Sequence, residues 1–338
     1  MRCVVAMSGG VDSSAAALLA LRAGWEVLGV TLRMRGEAPE GAAAVCARLG
    51  IPFEVWDVQE AFGREVIAPF IAAYRAGRTP NPCVLCNRGL KFGLLLREAE
   101  ARGFDRVVSG HYARLDLRDG RPELRRGLDG SKDQSYVLCG LRPAQLARLW
   151  LPLGGMTKDE TRALAREAGF ARAVSAPESQ DICFVPDGDY CGFIEREDGP
   201  LTPGRFVLED GRDLGPHRGF ERYTVGQRRG LGVAWEHPLY VLRKDAAAHA
   251  VVLGAEPGLF RDGLTAEQVN WLTPVPPAAP LRAQARTRYH QQETPCTVTP
   301  LPGGAARVAF DRPVRAPAPG QTVAFYDGDL VLGGGTIQ

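Results

Sequence analysis

Two groups of residues in this chain have types and spacing suited to chemistry. The first is Ala6-Met7-Ser8-Gly9-Gly10-Val11-Asp12-Ser13-Ser14. Its glycines permit a tight turn, and its serines offer hydroxyl donors around that turn. An apolar run, Cys3 to Met7, leads in, and a small-residue, leucine-rich run, Ala15 to Ala23, leads out. That reads as strand, glycine turn, helix. The first amides of a helix lack intrahelical acceptors and carry the positive end of its dipole, so the turn suits a pyrophosphate. No Gly-Lys-Ser/Thr follows, and Gly-x-Gly-x-x-Gly is absent, which argues against a Walker loop and a dinucleotide fingerprint. A plain helix cap needs fewer small and capping residues than stand here.

The second group is sulfur. The chain has eight cysteines, at 3, 46, 83, 86, 139, 183, 191 and 296. Cys83 and Cys86 form a Cys-x-x-Cys inside Gly77-Arg78-Thr79-Pro80-Asn81-Pro82-Cys83-Val84-Leu85-Cys86-Asn87. The two prolines forbid a helix through Asn81, so the helix is expected to restart near Cys86 and run to about Arg102. That puts Cys86 at a helix N-terminus, where a lowered thiol pKa is expected, with Arg88 and Lys91 adding to the field. Cys183 lies in Ser179-Gln180-Asp181-Ile182-Cys183-Phe184-Val185. Taken alone, it reads as an inert thiol in an apolar setting.

The elements that must hold these residues follow from patterning. Strands are expected at Trp25 to Leu32, Phe53 to Val58 and Arg106 to Ser109, alternating with helices at Ala42 to Leu49 and Glu60 to Ala76. Alternation of this kind argues an α/β, doubly wound parallel sheet, with ligands at the carboxyl ends of its strands. Gly36 to Gly41 reads as a loop. Ser109-Gly110-His111-Tyr112 ends a strand, and a hairpin follows with its turn at Asp119-Gly120. Thr157 to Gly169 reads as a scaffold helix opened by a Thr-x-x-Glu capping box. Beyond the Pro/Gly-rich stretch at Asp198 to Gly204 the pattern turns to short strands, including Tyr223 to Val225, around the basic loop Tyr223-Thr224-Val225-Gly226-Gln227-Arg228-Arg229-Gly230. From about Glu256 onward it is strand-like throughout, as in a small β-barrel. Three domains are therefore expected, at 1–198, 199–256 and 257–338.

A chain of 338 residues with 45% apolar content can bury several cores. Its formal charge of +2 gives no global field, so nucleic acid would have to be met by a local basic face. Arg286, Arg288, Tyr289, His290 and Gln291 form such an edge. No apolar run is long enough for a membrane span and no leader pattern stands at the N-terminus, so a cytoplasmic protein is expected, its thiols free for chemistry. There are thirty-seven arginines but only four lysines, Lys91, Lys132, Lys158 and Lys244. Arginine and lysine differ in shape and hydration, so the places where the scarce type persists point to function.

Taken together, the opening SGGVDSS, GRTPNPxxxCN, SGHYAR, KDQSY, Asp-Ile-Cys-Phe, YTVGQRRGLG, RTRY and the terminal PGQ…LGGG resemble the bacterial tRNA-specific 2-thiouridylases, within the PP-loop ATP pyrophosphatases. The resemblance runs over nearly the whole chain. It implies an ATP-binding domain, a small mostly-β central domain and a C-terminal barrel that binds tRNA. It implies a sulfurtransferase that replaces O2 of the wobble uridine by sulfur, releasing AMP and pyrophosphate, with ATP and Mg²⁺ as cofactors. Ala6, Met7, Ser8, Gly9, Gly10, Val11, Asp12, Ser13, Met34 and Gly110 match nucleotide positions. Asn81, Pro82 and Cys83 match positions touching the target base. His111, Lys132, Asp133, Gln134, Arg288, Tyr289 and Gln321 match tRNA contacts.

The family's sulfur carrier falls on Cys183, loaded as a persulfide by a cysteine desulfurase or sulfur-carrier protein. Its second cysteine falls on Cys86. Cys86 either attacks the bridging sulfur, releasing sulfide and leaving a Cys86–Cys183 disulfide, or positions a direct attack. Many members carry aspartate where this chain has Cys83. Three thiols, Cys83, Cys86 and Cys183, could then hold an iron–sulfur cluster instead, and the two chemistries stay open at this level. Other readings are a PP-loop amidotransferase or ligase that adenylates a small molecule, and a non-catalytic tRNA-binding protein.

Overall fold

A computed structural model of the chain describes residues 1–36, 40–175 and 182–338. Part of the Gly36 to Gly41 loop, and Ser179, Gln180 and Asp181 next to Cys183, lie outside the described residues. Among the described residues no helix is long and apolar enough to cross a membrane.

The first layer is a parallel sheet of β1 (Arg2–Ala6), β2 (Glu26–Arg33), β3 (Phe53–Asp57), β4 (Arg106–Val108) and, after a hairpin of β5 (Ala113–Arg118) and β6 (Arg121–Arg126), β7 (Leu149–Trp150). Their order is β3-β2-β1-β4-β7. Cys3, Val4 and Val5 are fully buried, as expected of a central parallel strand covered on both faces. The chain winds to β2 and β3 on one side of β1, then returns to β4 and β7 on the other. The carboxyl end of β1 is therefore a topological switch point, and residues 7–10 occupy it. Helix α1 (Val11–Arg22) follows directly. Its Ala15, Ala16, Ala17 and Ala20 are fully buried, so this helix lies close against its neighbours.

The helix carrying the Cys-x-x-Cys begins earlier than the sequence suggested. It starts at Pro82, with Asn81 as its N-cap: Asn81 Oδ1 accepts the Cys83 N–H at 3.2 Å. Proline is tolerated at the first helical position because its missing N–H would be unpaired there anyway. The helical run continues through a wide-turned stretch, Asn87–Leu94, into Leu95–Ala101. Cys83 thus occupies the first turn, and Cys86 lies a turn inside.

The central unit is a four-stranded sheet of β8 (Gly204–Leu208), β9 (Asp213–His217), β10 (Tyr240–Asp245) and β11 (Ala250–Gly254), in the order β10-β11-β8-β9. The strand expected at Tyr223 to Val225 does not form. Phe220–Arg222 makes a 3₁₀ turn instead, and the loop after it runs beside β10, where the Gly226 N–H donates to Val241 O at 2.8 Å. Gly226 takes φ +91°, which an extended strand would not use.

The C-terminal unit is a six-stranded antiparallel barrel. It comprises β12 (Phe260–Trp271), β13 (Leu281–Arg286), β14 (Thr294–Leu301), β15 (Ala305–Arg315), β16 (Thr322–Asp327) and β17 (Leu330–Ile337). Pairing of β12 with β17 closes it. One arrangement was not visible in the sequence. The β5–β6 hairpin joins this barrel's sheet, with Leu330 opposite Arg125 and the Arg126 N–H donating to Asp329 O at 2.9 Å. Arg114 and Arg125 both pair with the Asp329 carboxylate. The hairpin turn, Asp119 (φ 51°) and Gly120 (φ 74°), has the two positive-φ residues of a type I′ turn.

Candidate active site

The loop after β1 is tied at both ends. Met7 N–H donates to Val30 O at 2.8 Å, and Thr31 Oγ1 donates to Met7 O at 2.8 Å. Ser13 Oγ reaches back across the turn, accepting from Ser8 N–H at 3.2 Å and donating to Gly10 O at 3.0 Å. Ser14 N–H is bonded to Gly10 O at 3.2 Å, the i to i−4 contact that opens the α1 ladder. The amides before it have no intrahelical acceptor by geometry and form the mouth of an anion cradle.

Two glycines make the cradle possible. Gly9 has φ +81°, and a Cβ there would stand 2.8 Å from Ala42 N at the start of α2 (Glu40–Leu49). A Cβ on Gly110, at the end of β4, would stand 2.7 Å from the Asp12 carbonyl carbon. The turn is thus closed from both sides by backbone, where no side chain can yield. Met34, half-buried, packs beyond the loop against the apolar cluster that holds Cys86.

Asp12, in the first turn of α1, has two partners. Lys158 Nζ donates to its two oxygens at 2.8 and 2.9 Å, and Tyr112 Oη donates at 2.9 Å. Lys158 is 5% exposed. It opens the helix Lys158–Glu167, whose capping box, Thr157 with Glu160, is formed in both directions. Sequence reading took this helix as scaffold. The signal that would have singled it out was the scarcity of lysine.

The cysteines meet through one apolar cluster. Cys86 is buried with Phe62, Val66, Phe70 and Leu90, and the same cluster takes Phe184 and Val185, which follow Cys183. Phe184 stacks edge-on against Phe62 and Phe70, with centroids 5.5 and 5.1 Å away. These rings pin the Cys183 segment over the helix of Cys86. Cys183 and Cys83 are exposed, and all eight thiols are free. The three are close enough that a thiolate on Cys183 raises the pKa of both others.

The expected lowering of Cys86 is not found. Burial pushes its thiol up to about 11, outweighing the Lys91 ammonium that pulls it down. With the helix starting four residues earlier, Cys86 no longer sits at the positive end of the dipole, and aromatic side chains have replaced the water that would solvate a thiolate. Cys83, though reached by solvent, sits in enough surrounding protein that desolvation raises it too. It stays a neutral thiol at physiological pH and cannot serve as the base that an aspartate would be. In an alkylation time course near neutral pH, Cys183 is therefore expected to react well before Cys86. Cys86 labelling should climb as the pH approaches about 11. Equal rates near neutrality would contradict the burial.

The residues matched to tRNA contacts fall in different settings. Gln321 clamps the Pro-rich loop, donating from Nε2 to Thr79 O at 3.0 Å, beside a Thr79 N–H to Pro319 O bond of 2.7 Å. Arg288 is turned inward, donating to Val225 O and Ala316 O at 2.9 and 2.8 Å, which ties the basic loop to the barrel. Tyr289 is half-buried: burial first, and then the nearby Asp133 carboxylate, raises its pKa, and its ring packs edge-on against Tyr136. Asp133 is buried, accepting from the Gly127 and Ser135 N–H groups at 3.0 Å each. Gln134 accepts the Tyr112 N–H at 3.0 Å, and Lys132 is half-buried with its N–H on Asp129 O. His111 Nδ1 pairs with Ser109 Oγ at 2.7 Å, and burial lowers its pKa to about 3, so the ring is neutral.

Cys83, Cys86 and Cys183 do not form a metal-ligand set as they stand. Among the described residues no group of three His, Cys, Asp or Glu side chains is gathered closely enough to hold a metal ion.

Comparison with known proteins matches this architecture part by part. Residues 1–187 match a family described as a tRNA methyl transferase HUP domain, 192–255 a tRNA methyl transferase PRC-barrel domain, and 261–337 an aminomethyltransferase beta-barrel domain. Over full length, the chain is 48% identical to tRNA-specific 2-thiouridylase MnmA of Syntrophotalea carbinolica, covering 99% of this chain and 97% of the relative. It is 47% identical to the protein of that name from Geotalea uraniireducens (100% and 95% covered) and 46% to that from Magnetococcus marinus (99% and 98%). This chain belongs to the tRNA-specific 2-thiouridylase family.

Proposed function

We propose that this chain is an ATP-dependent sulfurtransferase that makes 2-thiouridine in tRNA, with the wobble uridine as its target. The observation that carries the reading is a phosphate cradle, Ser8 to Ser13, in one unit with two cysteines on one apolar cluster, Cys86 and the flank of Cys183; Lys91 acts on both Cys86 and His111, and Gly110 beside His111 borders Asp12 of the cradle.

The chemical difficulty is a urea-like carbonyl whose oxygen is a poor leaving group. ATP supplies the activation: O2 attacks the α-phosphorus, pyrophosphate departs, and the oxygen becomes part of a good leaving group, AMP. The chain's part is to hold the phosphates on the α1 amides and the Ser8 and Ser13 hydroxyls, and the Asp12 carboxylate would hold the accompanying Mg²⁺, which offsets phosphate charge. Gly9 and Gly110 let the backbone come close enough to do so.

Sulfur then follows a division of labour between the thiols. Exposed Cys183 receives sulfur from a donor protein and carries it as a persulfide. Its terminal sulfur attacks C2, and AMP leaves. Cys86 attacks the Cys183 Sγ, which breaks the S–S bond and leaves sulfur on C2. The product is a Cys86–Cys183 disulfide, which an external thiol reduces for the next turn. Burial keeps Cys86 protonated until then, so it does not compete for incoming sulfur. Lys91 is placed to favour its thiolate when it forms. Sulfur transfer by this route needs thiols alone.

Pyrophosphate release tests the reading. It should depend on unmodified tRNA, and tRNA from cells lacking the protein should have lost wobble 2-thiouridine. Pyrophosphate release without tRNA would point to a small-molecule ligase. Absence of release even with tRNA would point to a passive RNA binder.

A further inference from the structure

The helix that carries the Cys-x-x-Cys is not a regular one. Over Asn87–Leu94 its backbone is wide-turned, with hydrogen bonds that reach five residues back instead of four. The widening changes which side chains share a face. At about 3.6 residues per turn, residues five apart point ~140° away from each other. In a turn that closes over five residues they lie nearly one above the other. Cys86 opens this stretch, and Lys91 stands five residues on. The wide turn therefore brings the Lys91 ammonium to the side of the helix that holds the thiols, where its charge reaches both Cys83 and Cys86.

Backbone of this kind is rare and needs support from outside its own ladder. Two residues supply it. A Cβ on Gly93 would stand 2.7 Å from Arg88 O, five residues back, so a glycine is what leaves that carbonyl in place. Gln145 is the second. Its Nε2 donates to Arg88 O at 2.9 Å and to Phe92 O at 2.5 Å, spanning the widened turn with one amide group. Its Oε1 accepts the Arg142 N–H at 2.8 Å, at the start of the short helix Pro143–Leu146, so the amide can face the two carbonyls in one orientation only. Leu146 is buried in the same core as Phe92 and Leu95, which anchors the short helix against the wide one.

We propose that Gln145 is a positioning residue for sulfur transfer: by bridging Arg88 O and Phe92 O it holds the wide turn that sets Lys91 beside Cys86. The proposal rests on the persulfide reading of Cys86 and Cys183. On that reading, the terminal sulfur of the persulfide bonds to C2 as AMP leaves, so the tRNA is joined to Cys183 through an S–S bond. The Cys86 thiolate then attacks Cys183 Sγ. A Cys86–Cys183 bond forms, the older S–S bond breaks, and its electron pair leaves with the sulfur on C2. Lys91 favours the attacking thiolate, and Gln145 acts through Lys91.

Single-turnover reactions test it, with the full-length enzyme loaded by a cysteine desulfurase and L-cysteine, unmodified tRNA, and ATP with Mg²⁺. The tRNA–protein adduct is followed on denaturing gels without reductant, and pyrophosphate release is followed alongside. Cys86→Ser should accumulate the adduct. Lys91→Met and Gln145→Met should each resolve it about 10-fold more slowly than wild type, the scale of losing one contact with a charged group. The double variant should be no slower than Lys91→Met, since both changes remove the same contact. Gly93→Ala, which disturbs the same turn from within, should slow resolution likewise. Pyrophosphate release should stay at the wild-type rate in all of them, which also reports that each is folded. Adduct resolution at the wild-type rate in either single variant, Lys91→Met or Gln145→Met, overturns the inference, as does an effect of Gln145→Met that multiplies in full onto Lys91→Met. An equal slowing of pyrophosphate release in Gln145→Met also overturns it and makes Gln145 a general support of the fold. If wild type forms no 2-thiouridine, or Cys86→Ser accumulates no adduct, the persulfide reading itself fails, and the inference with it.

Discussion

Cys183→Ser abolishes 2-thiouridine formation, by about 10³-fold or more, while tRNA-dependent adenylation continues. That is the expected result, because the proposed mechanism assigns the two half-reactions to different residues. On that proposal, adenylation uses the loop of residues 7–13 and the uridine. Sulfur transfer needs a nucleophile that a serine hydroxyl cannot replace, since it forms no persulfide. Effects of this size are usual when the nucleophile of a covalent mechanism is removed. Fold damage should be slight: Cys183 is exposed, and its segment is held by Phe184 and Val185 instead. The check is paired: nucleoside analysis of product tRNA, and release of labelled pyrophosphate in the same reactions. Wild-type levels of 2-thiouridine would remove Cys183 from the mechanism. Loss of both half-reactions would mean that it acts in adenylation, contrary to the assignment.

The second large effect is expected from a single methyl group. Gly110→Ala places a Cβ 2.7 Å from the carbonyl carbon of Asp12 and 2.8 Å from its oxygen. Both neighbours are backbone atoms in the first turn of α1, so no side chain can rotate away. The turn itself must shift by several tenths of an ångström, carrying with it Asp12 and the amides that face the phosphates. A misplacement approaching an ångström costs on the order of 10²-fold in a positioned reaction. ATP-dependent turnover should fall by about that factor, with a raised KM for ATP. Affinity for tRNA, measured without nucleotide, should be unaffected. Unchanged ATP kinetics would show that the end of β4 does not border the nucleotide.

The parts of this site that sequence made legible are the local ones. Ser8-Gly9-Gly10-Val11-Asp12-Ser13 declares a strand, a glycine turn and a helix within a few residues, and strand alternation supplies the sheet that presents the turn. The Asp12–Lys158 pair could not be read the same way, because 146 residues separate its members. The state of Cys86 was misread for two reasons. The helix start was put too late, although Asn81-Pro82 is itself a start signal, a capping side chain followed by proline at the first helical position. In addition, desolvation depends on Phe62, Phe70 and Phe184, which only the fold brings around that thiol. Arg288 was legible as a cation but not as an internal one. Its carbonyl partners, Val225 and Ala316, come from two other segments.

The hairpin β5–β6 adds its strands to the barrel, while Pro319 and Gln321 of the barrel grip the loop at Thr79. One connection runs from the ATP-binding unit outward, and the other runs back to the loop beside Cys83. The barrel is therefore not a detachable handle for RNA. Cutting the chain before β12 would strip β6 of its barrel neighbour and release the Pro-rich loop at once, so the severed N-terminal piece would keep the turn of residues 7–10 but lose both ties that hold the segment before Cys83. Inheritance of this enzyme by shuffling of parts is correspondingly constrained: a barrel from another protein could replace this one only if it brought both the strand edge and the grip with it.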